Sequence, residues 1–281
     1  MKHIIPLGLL MVILQAGCSN QTTTSEVIAE QWISLFNGTD LTGWTPKFAG
    51  SNVGENYLKT FIVQDSMIRI SYDHYTNFED RYGHLYYHLP YSHYKLRFEY
   101  RFVGEQIPGG AIWNVRNSGV MLHTQSAESN ELEQDFPVSI ELQLLGGLSN
   151  GEARTTGNVC TPGTAVMMGD TVNYQHCINS NSATYHGDRW VKAEAIVLGS
   201  QSMSFLIEGD TVLQFTQPQI GGGFISQEFA GMDFDTFGVK RDKEMWLARE
   251  GELLSTGYIA LQAESHPIDF RRIELLDLKP E

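Results

Sequence analysis

The 281-residue sequence predicts an all-β protein in which two antiparallel sheets pack face to face as one domain. Three observations carry that prediction. Charged residues make up only 19% of the chain while Gly supplies 27 positions, a balance that suits short strands and tight turns better than a helical bundle. Apolar and polar residues alternate along most of the chain, whereas 3.6-residue periodicity is scarce. With 42% apolar and 11% aromatic residues, the chain can fill a sizeable core. Its net charge of −14, from 19 Lys+Arg against 33 Asp+Glu, repels a polyphosphate backbone and argues against nucleic acid as a partner.

At the N-terminus Lys2 precedes an apolar run over 4–14 that closes on Gln15-Ala16-Gly17-Cys18, which reads as a signal peptide over 1–17. Ala16-Gly17 directly before a Cys is similar to the lipobox of bacterial lipoproteins, with Gln15 where Leu is usual. That resemblance implies a lipidated Cys18, a polar tether over 18–26, and a periplasmic protein anchored to the outer membrane. An ordinary cleaved signal is the alternative. No later apolar run is long enough to span a bilayer as a helix.

From there, a helical turn capped by Ser25 is expected over 27–32, and strands over 67–71, 94–103, 119–124, 138–145, 191–198, 203–207, 212–215, 257–264 and 270–278. The clearest strand is 94–103, where Tyr94, Leu96, Phe98, Tyr100 and Phe102 interleave with Lys95, Arg97, Glu99 and Arg101. The segment 221–252 breaks the rhythm: Gly221-Gly222-Gly223 is followed by Phe224, Phe229, Phe234, Phe237 and Trp246, with a turn of helix over 242–250. A long aromatic-rich loop of this kind is expected to form an active-site wall or lid within a single domain over 27–281. Setting Cys18 aside leaves Cys160 and Cys177, an even pair in an oxidising compartment, and a disulfide is expected. A metal site built from the two thiols and His176 is the competing reading.

Leu35-Phe36-Asn37-Gly38-Thr39-Asp40-Leu41-Thr42-Gly43-Trp44 resembles the opening signature of domain-of-unknown-function family 1080, described as 3-keto-disaccharide hydrolases. The resemblance continues in Asn117-Ser118-Gly119-Val120-Met121-Leu122, Ile140-Glu141-Leu142-Gln143 and Thr156-Gly157-Asn158. It closes in Gly257-Tyr258-Ile259-Ala260-Leu261-Gln262 and Phe270-Arg271-Arg272-Ile273, so that it spans about 33–278. It implies a concanavalin A-like jelly-roll β-sandwich and cleavage of the glycosidic bond of an oxidised sugar. The 160–177 loop and the 221–252 insertion are longer than the family minimum, which places substrate size in question.

The residues also stand by themselves. Alternation puts Val138, Ile140, Leu142 and Leu144 on one face of their strand and Glu141 and Gln143 on the other; Met121 and His123 oppose Val120 and Leu122; Gln262 and Glu264, with His266 beyond, oppose Ile259 and Leu261. Amides and imidazoles beside a carboxylate suit sugar hydroxyls, which both donate and accept, although the solvated face of an ordinary sheet is the plain alternative. For the reaction on an oxidised sugar that the resemblance implies, C2 proton abstraction and elimination followed by water addition, Glu141 is the expected base and His123 the expected acid or enolate-steadying donor. Gln143, Gln262, Glu264, His266, Arg116 and Arg271 are candidates for substrate contact, with Trp246 and Phe224 as the stacking wall; Arg271 serves equally as a scaffold ion pair. Glu141 has no carboxylate neighbour on its strand face, since positions 139 and 143 are Ser and Gln, so a two-carboxylate glycosidase would recruit Glu264 or Asp135. Glu128, Glu131, Glu133 and Asp135 read as a solvated acidic loop. No metal ligands are assigned and no cofactor is required on this reading, with a divalent metal ion that polarises the keto oxygen left open as an unassigned alternative, and a carbohydrate is the expected partner. A non-catalytic lectin-like module and a hydrolase of unoxidised glycans are the rival readings.

Overall fold

The structure is a computed structural model that describes Met1 and residues 30–226 and 233–278. The signal sequence after Met1, Cys18 and residues 27–29 of the expected helix over 27–32 lie outside the described residues, and residues 30–32 form no helix. Residues 31–281 cluster as one unit.

Seventeen strands form among the described residues: β1 (Ile33–Ser34), β2 (Trp44–Phe48), β3 (Phe61–Gln64), β4 (Met67–Ile70), β5 (Gly83–Tyr87), β6 (His93–Phe102), β7 (Asn117–Thr124), β8 (Ile140–Leu145), β9 (Asn158–Cys160), β10 (Thr164–Met168), β11 (Thr171–Asn173), β12 (Cys177–Ile178), β13 (Val191–Leu198), β14 (Ser202–Ile207), β15 (Asp210–Ile220), β16 (Tyr258–Ala263) and β17 (Ile268–Asp277). The first sheet runs β11-β10-β15-β14-β13-β6-β17-β4-β3, with β1 on β17, and the second runs β12-β9-β8-β7-β16-β5-β2. Neighbouring strands are antiparallel throughout both sheets, from the long β6–β17 pair to the short β9–β12 pair. The protein is an all-β sandwich.

Alternation explains which faces meet. Tyr94, Leu96, Phe98, Tyr100 and Phe102 of β6 are buried and share one core with Val120, Leu122, Ile140, Leu142, Leu144, Ile259 and Leu261 of the second sheet. The opposite face of β6 carries charge. There Arg97 pairs with Glu274, Glu99 with Arg271 and Arg272, and Arg101 with Asp269. Strand β5 is buried at all five positions, so it shows no alternation and escaped a pattern-based reading.

The 221–252 segment is a packed wall. It contains α1 (Gly223–Ser226) and α2 (Lys243–Ala248). Phe224, Phe234, Phe237, Val239 and Trp246 are buried in the main core. Glu131 fastens it from the acidic loop, its two carboxylate oxygens accepting from the backbone N–H groups of Arg241 at 2.8 Å and Asp242 at 2.9 Å. Glu131 is thus buried, which departs from the solvated loop expected there.

Candidate active site

The outward face of the second sheet is organised in rows across its strands. One row is Tyr86, Ala260, Met121, Glu141, Cys160 and Cys177, as the pairing registers of β5, β16, β7, β8, β9 and β12 require. The next holds Lys47, His84 and Gln262 on one side and Gly119, Gln143 and Asn158 on the other. Leu261 pairs with Val120, so Gln262 falls beside Gly119, and Ser118 Oγ donates to the Gln262 carbonyl at 2.8 Å. Gly119 leaves a gap in the middle of the row. A Cβ there would lie 2.4 Å from Glu141 Oε1, so the absence of a side chain makes room for the carboxyl.

Above this floor opens a cleft of about 540 Å³, lined by Glu141, Gln143, Asn117, Glu264 and Arg154 and walled by Tyr82, Trp113, Phe136, Phe237 and Asp135. A disulfide joins Cys160 to Cys177 at its edge and holds His176 against the cleft. Arg154 fixes the rim: its Nη1 donates to the carbonyls of Val115 at 2.6 Å and Gly146 at 2.9 Å, and its Nη2 donates to Trp113 at 3.3 Å. Trp113 is 66% exposed, an aromatic face offered to solvent at the mouth of a polar cleft.

Burial governs the electrostatics. It pushes the Glu141 carboxyl up to about 8. It also holds Glu264 well above the carboxylate range, where the nearby Glu141 charge adds to the effect and Arg154 opposes it. Two carboxyls so placed titrate together and favour sharing one proton. Asp135 rises to about 7, through burial first and then the charges of Asp80 and Glu133, against the pull of Lys47. Gln262 Oε1, Asn117 Oδ1, Glu264 Oε2 and His84 Nε2 are buried without a hydrogen-bond partner among the described residues. Buried polar atoms rarely stay unpaired, so these are places for ligand hydroxyls or water. Gln143 Oε1 accepts from Asn158 Nδ2 at 2.9 Å, which leaves its NH₂ free to donate into the cleft.

Of the residues anticipated from sequence, Glu141, Gln143 and Glu264 meet in the cleft, and Gln262 lies in the floor beside it. The others are placed elsewhere. His123 belongs to a separate hollow shared with Trp246 and Leu254. A register irregularity between Tyr258 and Ala260, with His123 at φ +46°, breaks the alternation of β7. The imidazole is buried, within 3.2 Å of the carbonyls of Leu254 and Ser92. Trp246 and Phe224 are core residues, and Phe237 and Trp113 take the cleft-facing places instead. Arg116 sits outside the cleft, hydrogen-bonded to the Gly187 carbonyl and paired with Asp188 at 3.3 Å. Arg271 is on the far sheet, paired with Glu99 at 2.7 Å and stacked 3.8 Å from the Trp190 ring centre. His266 is buried against Phe102 and is not among the residues that line the cleft. Tyr82, Trp113, Asn117, Arg154 and Phe237 line the cleft without having been singled out as site residues from sequence.

The model of the 3-keto-alpha-glucoside-1,2-lyase-like domain matches residues 31–276. The chain belongs to the 3-keto-alpha-glucoside-1,2-lyase-like family. Two solved structures similar to this family member are each described as a "putative glycosyl hydrolase" from Parabacteroides distasonis ATCC 8503. The first shares 18% identity over 89% of this chain and 96% of its own, with a TM-score of 0.50. The second shares 16% over 88% and 100%, also with a TM-score of 0.50. At these identities the likeness concerns the fold. No curated protein matches the sequence. Family membership makes this a carbohydrate-active protein, and in this family member the candidate reacting groups are the carboxyls at the Gly119 gap.

The pKa shifts also set the pH dependence of stability. His84 is lowered to about 3, and His123, His176 and His266 to about 4, in each case chiefly by burial, from an ordinary 6.5. Their stabilisation is complete above 6.5 and is lost as pH falls through those folded values. Glu141 and Asp135 are raised, so their contribution is complete below the ordinary values of 4.5 and 3.8 and is lost as pH rises towards about 8 and 7. Melting temperature is therefore expected to peak near pH 6.5, the ordinary value of a histidine, and to decline on both sides. A melting temperature that climbs steadily from pH 5 to 9 would contradict these assignments.

Proposed function

We propose that this protein cleaves the glycosidic bond of a 3-keto-glucoside or related oxidised disaccharide by elimination followed by addition of water, as a lipid-anchored protein of the periplasm. One observation carries the reading: Glu141 is held in the Gly119 gap in a dry setting that makes its carboxylate a far stronger base than an exposed one. A ketone at C3 acidifies the proton on C2. Glu141 takes that proton, the developing enolate oxygen receives hydrogen bonds from donors such as the Gln143 amide, and the bond from C1 to the aglycone oxygen breaks. Glu264 keeps the proton that the pair shares, so that Glu141 is the ionised partner. Trp113 supplies a face on which a sugar ring stacks.

The Glu141–Glu264 pair favours a second reading, direct displacement at C1 of an unoxidised glycoside, because such chemistry needs two neighbouring carboxyls. Product analysis separates the two. The mature protein is incubated in D₂O with matched 3-keto and ordinary disaccharides, and the products are read by mass spectrometry. Elimination predicts cleavage of the keto form alone, with deuterium entering at C2. Cleavage of the ordinary disaccharide without deuterium at C2 would establish displacement, and binding without cleavage of either would establish a lectin-like module.

A further inference from the structure

We infer that Asp135, on the wall of the cleft whose floor carries Glu141, is the acid that protonates the departing aglycone oxygen. The inference rests on the elimination reading and assigns its second proton.

Asp135 lines the cleft while belonging to a different element from the floor, namely the loop between β7 and β8. That loop is held in place. Gln134 Nε2 donates to Gln125 Oε1 and to the Phe136 carbonyl, each at 3.0 Å, and Gln134 Oε1 accepts from the Glu131 backbone at 3.1 Å. The Asp135 backbone N–H donates to the Phe237 carbonyl at 3.2 Å, which ties the loop to the 221–252 segment. Next to it, the Phe136 ring packs 4.8 Å from Tyr82, 6.1 Å from His84 and 5.8 Å from Phe237, all centre to centre. A carboxyl on a wall this well determined has a fixed direction of approach to a bound sugar. Its half-buried setting among Asp80 and Glu133 favours the protonated form near neutrality, as an acid requires.

The proton balance closes with no outside reagent. Glu141 carboxylate takes the C2 proton, and the C–H electron pair delocalises onto the C3 oxygen. That pair returns to form the C1=C2 bond as the C1–O bond breaks, and the aglycone oxygen, which keeps the bonding electrons, takes the proton of Asp135. Water then enters at C1 in the aglycone's place: Asp135 carboxylate accepts a proton from the water, and Glu141, whose proton exchanges with solvent while the unsaturated intermediate is bound, protonates C2. Both acids finish as they began.

The test compares wild-type protein with Asp135→Asn on two 3-keto-glucosides, one with a 4-nitrophenyl leaving group that departs without help and one with a sugar leaving group that does not. If Asp135 is the acid, the single-turnover rate of aglycone release, which precedes water addition, falls about 10²- to 10⁴-fold in the variant for the sugar aglycone and less than about tenfold for the nitrophenyl substrate. Survival on the nitrophenyl substrate also shows that the variant folds. Equal losses on both substrates would make Asp135 a structural group, and an undiminished rate on the sugar aglycone would leave it no role in proton transfer; either overturns the inference. Wild-type protein that cleaves neither substrate is a distinct outcome, which removes the elimination reading and the inference with it.

Discussion

Glu141→Gln is expected to lower kcat on a 3-keto-disaccharide by about 10²- to 10⁴-fold, the span associated with loss of a positioned base. The melting temperature should stay level or rise at pH 8, because the substitution removes an ionisable group from a buried site where its charge is disfavoured. The amide has nearly the shape of the carboxyl, so the Gly119 gap still accommodates it. The combination of lost turnover and preserved fold distinguishes a reacting group from a packing group. Near-normal turnover would transfer the base to Glu264, which the reciprocal Glu264→Gln variant would then reveal.

The second large effect belongs to stability. Asp269 on β17 has a fully buried side chain, and Arg69 grips it through Nε at 2.6 Å and Nη2 at 2.9 Å while Arg101 Nε donates at 2.9 Å. Removing it in Asp269→Ala leaves two guanidinium groups, each less than a third exposed, without their counter-charge. Loss of one partner from such an arrangement costs about 3–5 kcal/mol. For a domain of this size that corresponds to a fall of roughly 6–20 °C in melting temperature. The Arg97–Glu274 pair on the same face is exposed at both ends, so Glu274→Ala should cost less than about 1 kcal/mol. Calorimetry on the two variants checks the contrast; equal effects would show that burial does not decide the value of ion pairs on this sheet.

Much of the architecture was legible because the long strands bury one face and wet the other. The pattern Tyr94-Lys95-Leu96-Arg97-Phe98 could not satisfy both solvents any other way, and β6 begins within a residue of the expected place. Glu141 and Gln143 were assigned to the correct face for the same reason. His123 was not, since alternation carries a direction only as far as the ladder is regular, and the irregularity at Tyr258 turns the imidazole towards Tyr94 in the core. Pro46 obscured β2, and uniform burial obscured β5. The cleft walls were the least readable part. Trp113 and Arg154 lie in loops whose positions are fixed by contacts far away in sequence, such as the bond from Arg154 Nη1 to the Val115 carbonyl. No local signal encodes a contact of that kind. Asp135 was noticed as one charge in an acidic run and as a second carboxylate that a displacing glycosidase would recruit, whereas its half-buried setting exists only once the loop has closed over the floor.

Both sheets end in short or interrupted strands. The first sheet terminates in β11, three residues long, and β3, four residues long. The second terminates in β12, which has two residues and is tied to its neighbour by the Cys160–Cys177 bridge, and in β2, where Pro46 has no N–H to offer. An open strand margin is a template on which another chain can add, and short, stapled or proline-interrupted margins deny it a ladder of useful length. Crowded side by side on a surface, as lipid tethering would crowd them, copies of this chain therefore have little backbone through which to zip together, and the fold resists aggregation at densities where unguarded sandwiches would fuse edge to edge.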